Sequence, residues 1–313
     1  MRRVAIAAAA LAFGCVPAGG SAQSSACGAE SMLSGCPGVY QALASAAPQF
    51  GIVAAAGNAV PGVEGTRGVT LGIIPRTTGM LRVSGAAVHL PDLETAGGER
   101  AITPVAVKLG TATQLFDGTA GGTGALDLLL EGGLLTGTGQ GGRTAAIFGA
   151  GGRLALLRET FATPGVALSG MFRHTGRMQY GSDCSALPCV GFDGEAVFGL
   201  NDVSARLTVG KRVGPVGLAV GAGWDRFSTT GGSIAYRGSP VATPSSGTAE
   251  VDVDDARWSA FVNLSKSLLL GSVVAEAGWM SGGDAVPNYT PGQGGYDPGQ
   301  GTFFGSVALR VQL

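Results

Sequence analysis

From Val216 the chain alternates with a period of two: Val216, Leu218, Val220, Ala222 and Trp224 interleave with Gly217, Ala219, Gly221, Gly223 and Asp225. Successive side chains of a strand point to opposite faces, so this segment has one greasy face and one small or charged face. The preceding stretch repeats the scheme, with Val203, Ala205, Leu207 and Val209 against Ser204, Arg206, Thr208 and Gly210. Only Val213, Gly214 and Pro215 intervene before Val216, which predicts a hairpin. A second hairpin sets Trp258, Ala260, Val262 and Leu264 against Val273, Ala275, Ala277 and Trp279. The stretch from Gly151 to Gly176 reads as strand, tight turn, strand, and further strands are expected near 50–58, 66–75, 79–90, 104–116 and 121–134.

A chain built this way needs a reason to keep a greasy outer face. Mean hydropathy is +0.31 and only 13% of residues are charged, about half of what a soluble domain carries. After residue 22 no apolar run reaches the ~20 residues of a membrane-spanning helix. A transmembrane β-barrel reconciles the two, because its strands show lipid only every second residue. The expected fold is therefore all-β: a transmembrane antiparallel up-and-down barrel of about 12 strands, with a short N-terminal non-barrel segment. Connections near 75–79, 161–165, 213–216 and 266–270 are short. Those near 91–103, 135–150, 179–200, 229–255 and 282–301 are long, the periplasmic-turn and outer-loop asymmetry of such barrels. Trp224, Trp258 and Trp279 fall on greasy faces at strand ends beside long loops and form an expected aromatic rim. Glycine, at 56 of 313 residues, requires tight turns, long loops or a crowded lumen.

Residues 1–22 read as a cleaved signal peptide: Arg2 and Arg3, an apolar stretch, then Gly20, Ser21 and Ala22. Lipidation of Cys15 is the rival reading of that segment, though Ala12, Phe13 and Gly14 fit a lipobox poorly. Residues 23–48 do not alternate. A short helix over 39–47 is expected there, either plugging the lumen or lying in the periplasm, and the barrel itself is expected over 49–313. Of four cysteines left after cleavage, proximity pairs Cys27 with Cys36 and Cys184 with Cys189 as disulfides.

The chain from about residue 50 to 313 resembles an uncharacterised family of bacterial outer-membrane β-barrels of porin-like or transport type. The likeness rests on GNAVPG from Gly57, LLRETFATPGVALSGMFRHTG from Leu156 and GLAVGAGWDRFS from Gly217. GNAVPG is also similar to the Asn-Pro turn of fatty-acid-type transport barrels, without their adjacent Asn-Pro-Ala-Gly run. The last strand resembles the C-terminal targeting signal of outer-membrane barrels, although Leu313 replaces the usual final aromatic. The resemblance implies outer-membrane lipid, lipopolysaccharide and the barrel-assembly machinery as partners, and it implies no particular task.

Candidate chemistry is sparse. Outer-membrane phospholipases use a His followed two residues later by Ser; His174 is followed by Thr175 and Gly176, and His89 by Leu90 and Pro91. Asp225 and His174 at one outer rim are the remaining catalytic pair to consider, and no enzyme is expected. Glu250, Asp252, Asp254 and Asp255 lack an EF-hand's glycine turn and closing Glu, so they read as a solvated loop face rather than a calcium site. No metal site, cofactor or nucleic-acid surface is expected; net charge is −1. GTGQGG from Gly137 reads as loop.

Strand parity places Lys108, Asp127, Glu131, Arg153, Arg173, Arg206, Asp225, Arg257, Glu276 and Arg310 inside, as candidate pore-lining residues. A charge facing hydrocarbon costs several kcal/mol, whereas a lumen offers water or an opposite charge. The expected function is a passive channel or transport barrel for small solutes. The alternatives are a plugged barrel passing hydrophobic molecules and a structural or adhesive surface protein without transport.

Overall fold

The computed structural model describes residues 36–60, 77–91, 99–118, 123–137, 144–181, 193–237, 246–250, 252–283 and 299–312. Helix α1 (Cys36–Ala55) is followed by thirteen strands. These are β1 (Thr77–Ala86), β2 (Val88–Pro91), β3 (Glu99–Ile102), β4 (Val105–Phe116), β5 (Ala125–Thr136), β6 (Ala145–Leu157), β7 (Gly165–Gly181), β8 (Asp193–Val213), β9 (Val216–Arg237), β10 (Ser246–Glu250), β11 (Asp254–Leu268), β12 (Gly271–Met280) and β13 (Thr302–Gln312).

Ten of these strands form one closed antiparallel barrel in the order β9-β11-β12-β13-β1-β4-β5-β6-β7-β8, and β8 pairs back onto β9. β10 adds to the upper part of β9, where it continues the edge that β11 leaves at Asp254. β2 and β3 make a separate small hairpin. Starting from Arg82 and following partners through β4 to β8 leads to Thr229 on β9; the other way, through β13, β12 and β11, leads to Gly217. That offset of twelve positions is the stagger that lets a tilted sheet close on itself.

The barrel has ten wall strands, not about twelve. The residues expected as a strand at 50–58 belong to α1 and the segment after it, and those at 66–75 lie outside the described residues. The helix is also longer than the expected 39–47. Phe50, Ile52 and Val53 favour strands, but the run is rich in Ala, the best helix former, and its slim sides fit inside the barrel. Two expected long loops are in part strand: β8 and β9 run 21 and 22 residues and form a hairpin that outreaches the rest.

One end of the barrel carries the connections 117–124, 158–164, 214–215 and 269–270, with the start of β1 and the end of β13. The other carries 87–104, 137–144, 182–192, 238–253 and 281–301. They are called here the short-turn and long-loop ends. Alternation holds around the wall. On β9, Val216, Leu218 and Val220 are exposed while Gly217, Ala219, Asp225 and Phe227 are buried. The outward apolar band on β9 and β11 ends at an exposed Arg226–Asp254 ion pair (2.5 Å) toward the long-loop end and at Lys266 toward the other. On β7 and β8 the upper edge of the band is marked by His174, whose Nδ1 meets Asn201 Oδ1 at 2.8 Å.

Candidate functional site: the plugged lumen

The long-loop half of the lumen is filled by α1. Its Leu43, Ala46, Ala47, Phe50, Ile52 and Val53 are wholly buried within a collar near the long-loop end. Phe50 stacks on Phe198 (centroids 6.3 Å apart) and meets Tyr180 edge-on (6.2 Å). Helix and wall approach so closely that glycine is required at the contact. A Cβ on Gly51 would lie 2.5 Å from the Phe227 ring; within the wall itself, one on Gly221 or Gly278 would collide with the inward Phe261 or Phe304 of the neighbouring strand. Part of the chain's glycine content therefore serves packing in a narrow barrel.

Below the collar the helix ends, and its last carbonyls have no intrahelical donors. Wall side chains supply them. Ser84 donates to Val53 O (3.1 Å), and the Lys108 ammonium donates to Ala54 O (2.6 Å) and Ala56 O (2.9 Å). Arg82 donates to Asn58 O. Two cations thus sit at the negative end of the helix dipole. Gly57 terminates the helix with φ +95°, the left-handed conformation that glycine adopts most readily, and a Cβ there would also strike Arg82. Asn58 then spans the lumen: its backbone N–H donates to Glu276 Oε2 (3.0 Å) and its amide to Thr208 Oγ1 (3.0 Å). Ala59 and Val60 enter a second apolar cluster with Met80, Ala112, Leu129 and Met171. The GNAVPG motif is thus the helix terminator and its anchor, as far as Val60.

All ten charges that parity places inside are directed to the interior. Arg173 bridges Glu131 (2.5 Å) and Asp202 (2.7 Å) and also donates to Ser204. Arg206 makes a two-pronged pair with Asp225 (2.5 and 2.7 Å). Arg153 lies 3.5 Å from Asp127, and Arg257 pairs with Asp255 rather than across the lumen. Lys108 and Glu276 face the plug, and Arg310 is buried near the short-turn end. Buried charges need partners, and most of these have them within the wall or on the plug. Sequence reading missed Arg82, Asp202 and Asn58. The first two carry a visible signal, since Arg82 alternates with Leu81 and Val83, and Asp202 shares the face of Ser204 and Arg206. Asn58 carries none, because its role depends on the plug.

Other sequence candidates are dispersed. His174 faces outward and Asp225 inward, so the pair considered for catalysis lies on opposite sides of the wall. His89 is exposed on β2. Glu250, Asp252 and Asp254 are exposed, Asp254 with Arg226 beside it, while Asp255 is half-buried against Arg257, and no group of three potential metal ligands occurs among the described residues. Trp224 and Trp258 are cross-strand partners on the outer face, and Trp279 lies beside them, opposite Ala260. Cys36 opens α1; Cys27, Cys184 and Cys189 lie outside the described residues, as do residues 1–22.

No protein-family model and no curated protein matches the chain. Among solved structures it is similar to the translocator domain of the autotransporter NalP from Neisseria meningitidis, at 14% identity over 78% of this chain and 90% of that one (TM-score 0.41). It is similar to the outer membrane protease OmpT from Escherichia coli, at 12% identity over 80% and 100% (TM-score 0.38). A third is Ail, the attachment invasion locus protein of Yersinia pestis, at 10% identity over 77% and 98% (TM-score 0.30). These neighbours are outer-membrane β-barrels with unlike tasks, and the likeness is one of architecture alone.

Proposed function

We propose that this chain is a bacterial outer-membrane β-barrel that works as a transport barrel for small solutes, held shut at rest by α1. The observation that carries the reading is the capping of the helix end by Lys108, Arg82 and Ser84. These are polar bonds of wall to backbone, which water or a solute can exchange for its own hydrogen bonds, whereas the apolar collar above them has to unpack before the helix can leave. The outward apolar band supports the membrane setting. On β9 it spans Val216 to Trp224, about the nine residues that a tilted strand needs to cross hydrocarbon, and the tryptophans sit where indoles prefer the interface. Export by a signal peptide over 1–22, contact with lipopolysaccharide, and assembly through β13 belong to the same proposal.

An open passive pore is not the resting state under this reading; the interior charges serve plug and wall first and line water only when the plug leaves. The alternative is a structural or adhesive surface protein, favoured by the β8–β9 hairpin that outreaches the barrel. Planar-bilayer recording separates them. The native protein should be mostly closed, and a variant lacking residues 23–60 should show steady conductance. A deletion variant that folds, judged by its heat-dependent mobility in SDS, yet stays silent would favour the structural role.

A further inference from the structure

Asn58 is held by the wall as a ligand would be. Its backbone N–H donates to Glu276 Oε2 (3.0 Å), its backbone C=O accepts from Arg82, and its side-chain amide donates to Thr208 Oγ1 (3.0 Å). A carboxylate of β12, a guanidinium of β1 and a hydroxyl of β8 therefore converge on one small residue inside the barrel. All three side chains are buried. In the strand register Glu276 lies directly between Asn263 of β11 and Ser306 of β13.

The wall offers more hydrogen-bonding capacity than Asn58 uses. Arg82 has Nε and Nη1 unpartnered, Glu276 has Oε1, and the wholly buried amide of Asn263 has both Nδ2 and Oδ1. A buried donor or acceptor left unpaired is costly, more so when it is charged, and interiors rarely hold such a set together. A peptide unit brings Glu276 and Arg82 only one hydrogen and one oxygen. A free α-amino acid carries its nitrogen and its carboxyl on the same α-carbon, in the places where Asn58 carries its N–H and C=O, and brings an ammonium with three hydrogens and a carboxylate with two oxygens. The ammonium can reach both Glu276 oxygens and Asn263 Oδ1, and the carboxylate can take the Arg82 fork with two bonds. Resting on the transport reading above, we propose that Asn58 occupies the seat of a free α-amino acid with a short amide side chain, which competes with it for Glu276 and Arg82 and displaces the end of the plug. Thr208 then takes the solute's amide as it takes that of Asn58. The groups that hold the barrel shut are in this way the groups that recognise what it admits, and an uncharged polyol, with no ammonium or carboxylate to offer, is a poor competitor.

Amide hydrogen exchange at residues 54–60 of the refolded whole chain, followed by mass spectrometry with L-asparagine added, reads the competition directly. Exchange should rise with L-asparagine and saturate. Succinamate, which lacks the ammonium, and β-alaninamide, which lacks the carboxylate, should each need at least about tenfold more, because a charge-assisted hydrogen bond is roughly twice as strong as a neutral one. In Glu276→Gln the preference for L-asparagine over succinamate should disappear while that over β-alaninamide persists, a split that a general loss of packing does not produce. Should that variant fail to fold, judged by its heat-dependent mobility in SDS, the comparison of solutes on the native chain decides alone. Equal effects of L-asparagine, its two analogues and erythritol would overturn the inference, as would no effect of any of them while the variant lacking residues 23–60 conducts; the transport reading would stand in both cases. Silence of that folded variant in planar bilayers would overturn the transport reading instead, and the exchange data would still decide the seat.

Discussion

At the scale of single residues, the lumen shows how buried charge is made tolerable. Arg173 is 2% exposed and holds two carboxylates, Glu131 and Asp202, so removing it strands two acids rather than one. Breaking a buried pair by removing one partner costs about 3–5 kcal/mol. Arg173→Met should therefore lower unfolding stability in detergent by roughly that amount, measured by urea titration; a loss below about 1 kcal/mol would mean that the acids are already solvated. Much of this network was legible from parity, because a two-residue period assigns every side chain to a face once the greasy face is known. Which charge meets which was not. Arg257 turns to Asp255 on its own strand, and Arg173 reaches two strands at once, and both choices depend on stagger between strands that no single segment records.

At the scale of elements, the strands past residue 104 were readable and the N-terminal helix only in part. β4, β7, β9, β11 and β13 alternate in the open, whereas β6 begins inside AAIFGAGG, where small residues blur both faces. The segment FGIVAAA has a strand-like composition, and it is helical because it lies within the lumen, where its backbone must satisfy its own hydrogen bonds. Its terminator is the sensitive point. Gly57→Val forces a β-branched residue into the left-handed region, at a cost of about 1–2 kcal/mol, and drives a side chain toward Arg82. The expected result is faster amide hydrogen exchange across α1 with the wall strands unchanged. Equal acceleration in helix and wall would indicate that plug and barrel open as one unit.

At the scale of the whole molecule, closure and occupancy are both non-local properties. The strand count differs from the sequence reading because two N-terminal segments were assigned to the wall, one of them lying in the lumen as helix. Ten strands leave room for a single slender helix; Gly51 of the helix lets it lie against Phe227, and the wall glycines at 221 and 278 let Phe261 and Phe304 lie over the neighbouring strands. Packing of the plug, capping of its end and pairing of the lumen charges then form one system, in which the greasy band faces outward and α1 packs on an apolar collar with its end on polar wall groups. A photo-crosslinking amino acid in place of Phe50, activated in the folded protein in a bilayer and mapped by mass spectrometry, tests this most directly. Crosslinks should fall on the peptides bearing Tyr180 or Phe198 of the same chain. Crosslinks to lipid or to other proteins, with none to the barrel wall, would contradict it.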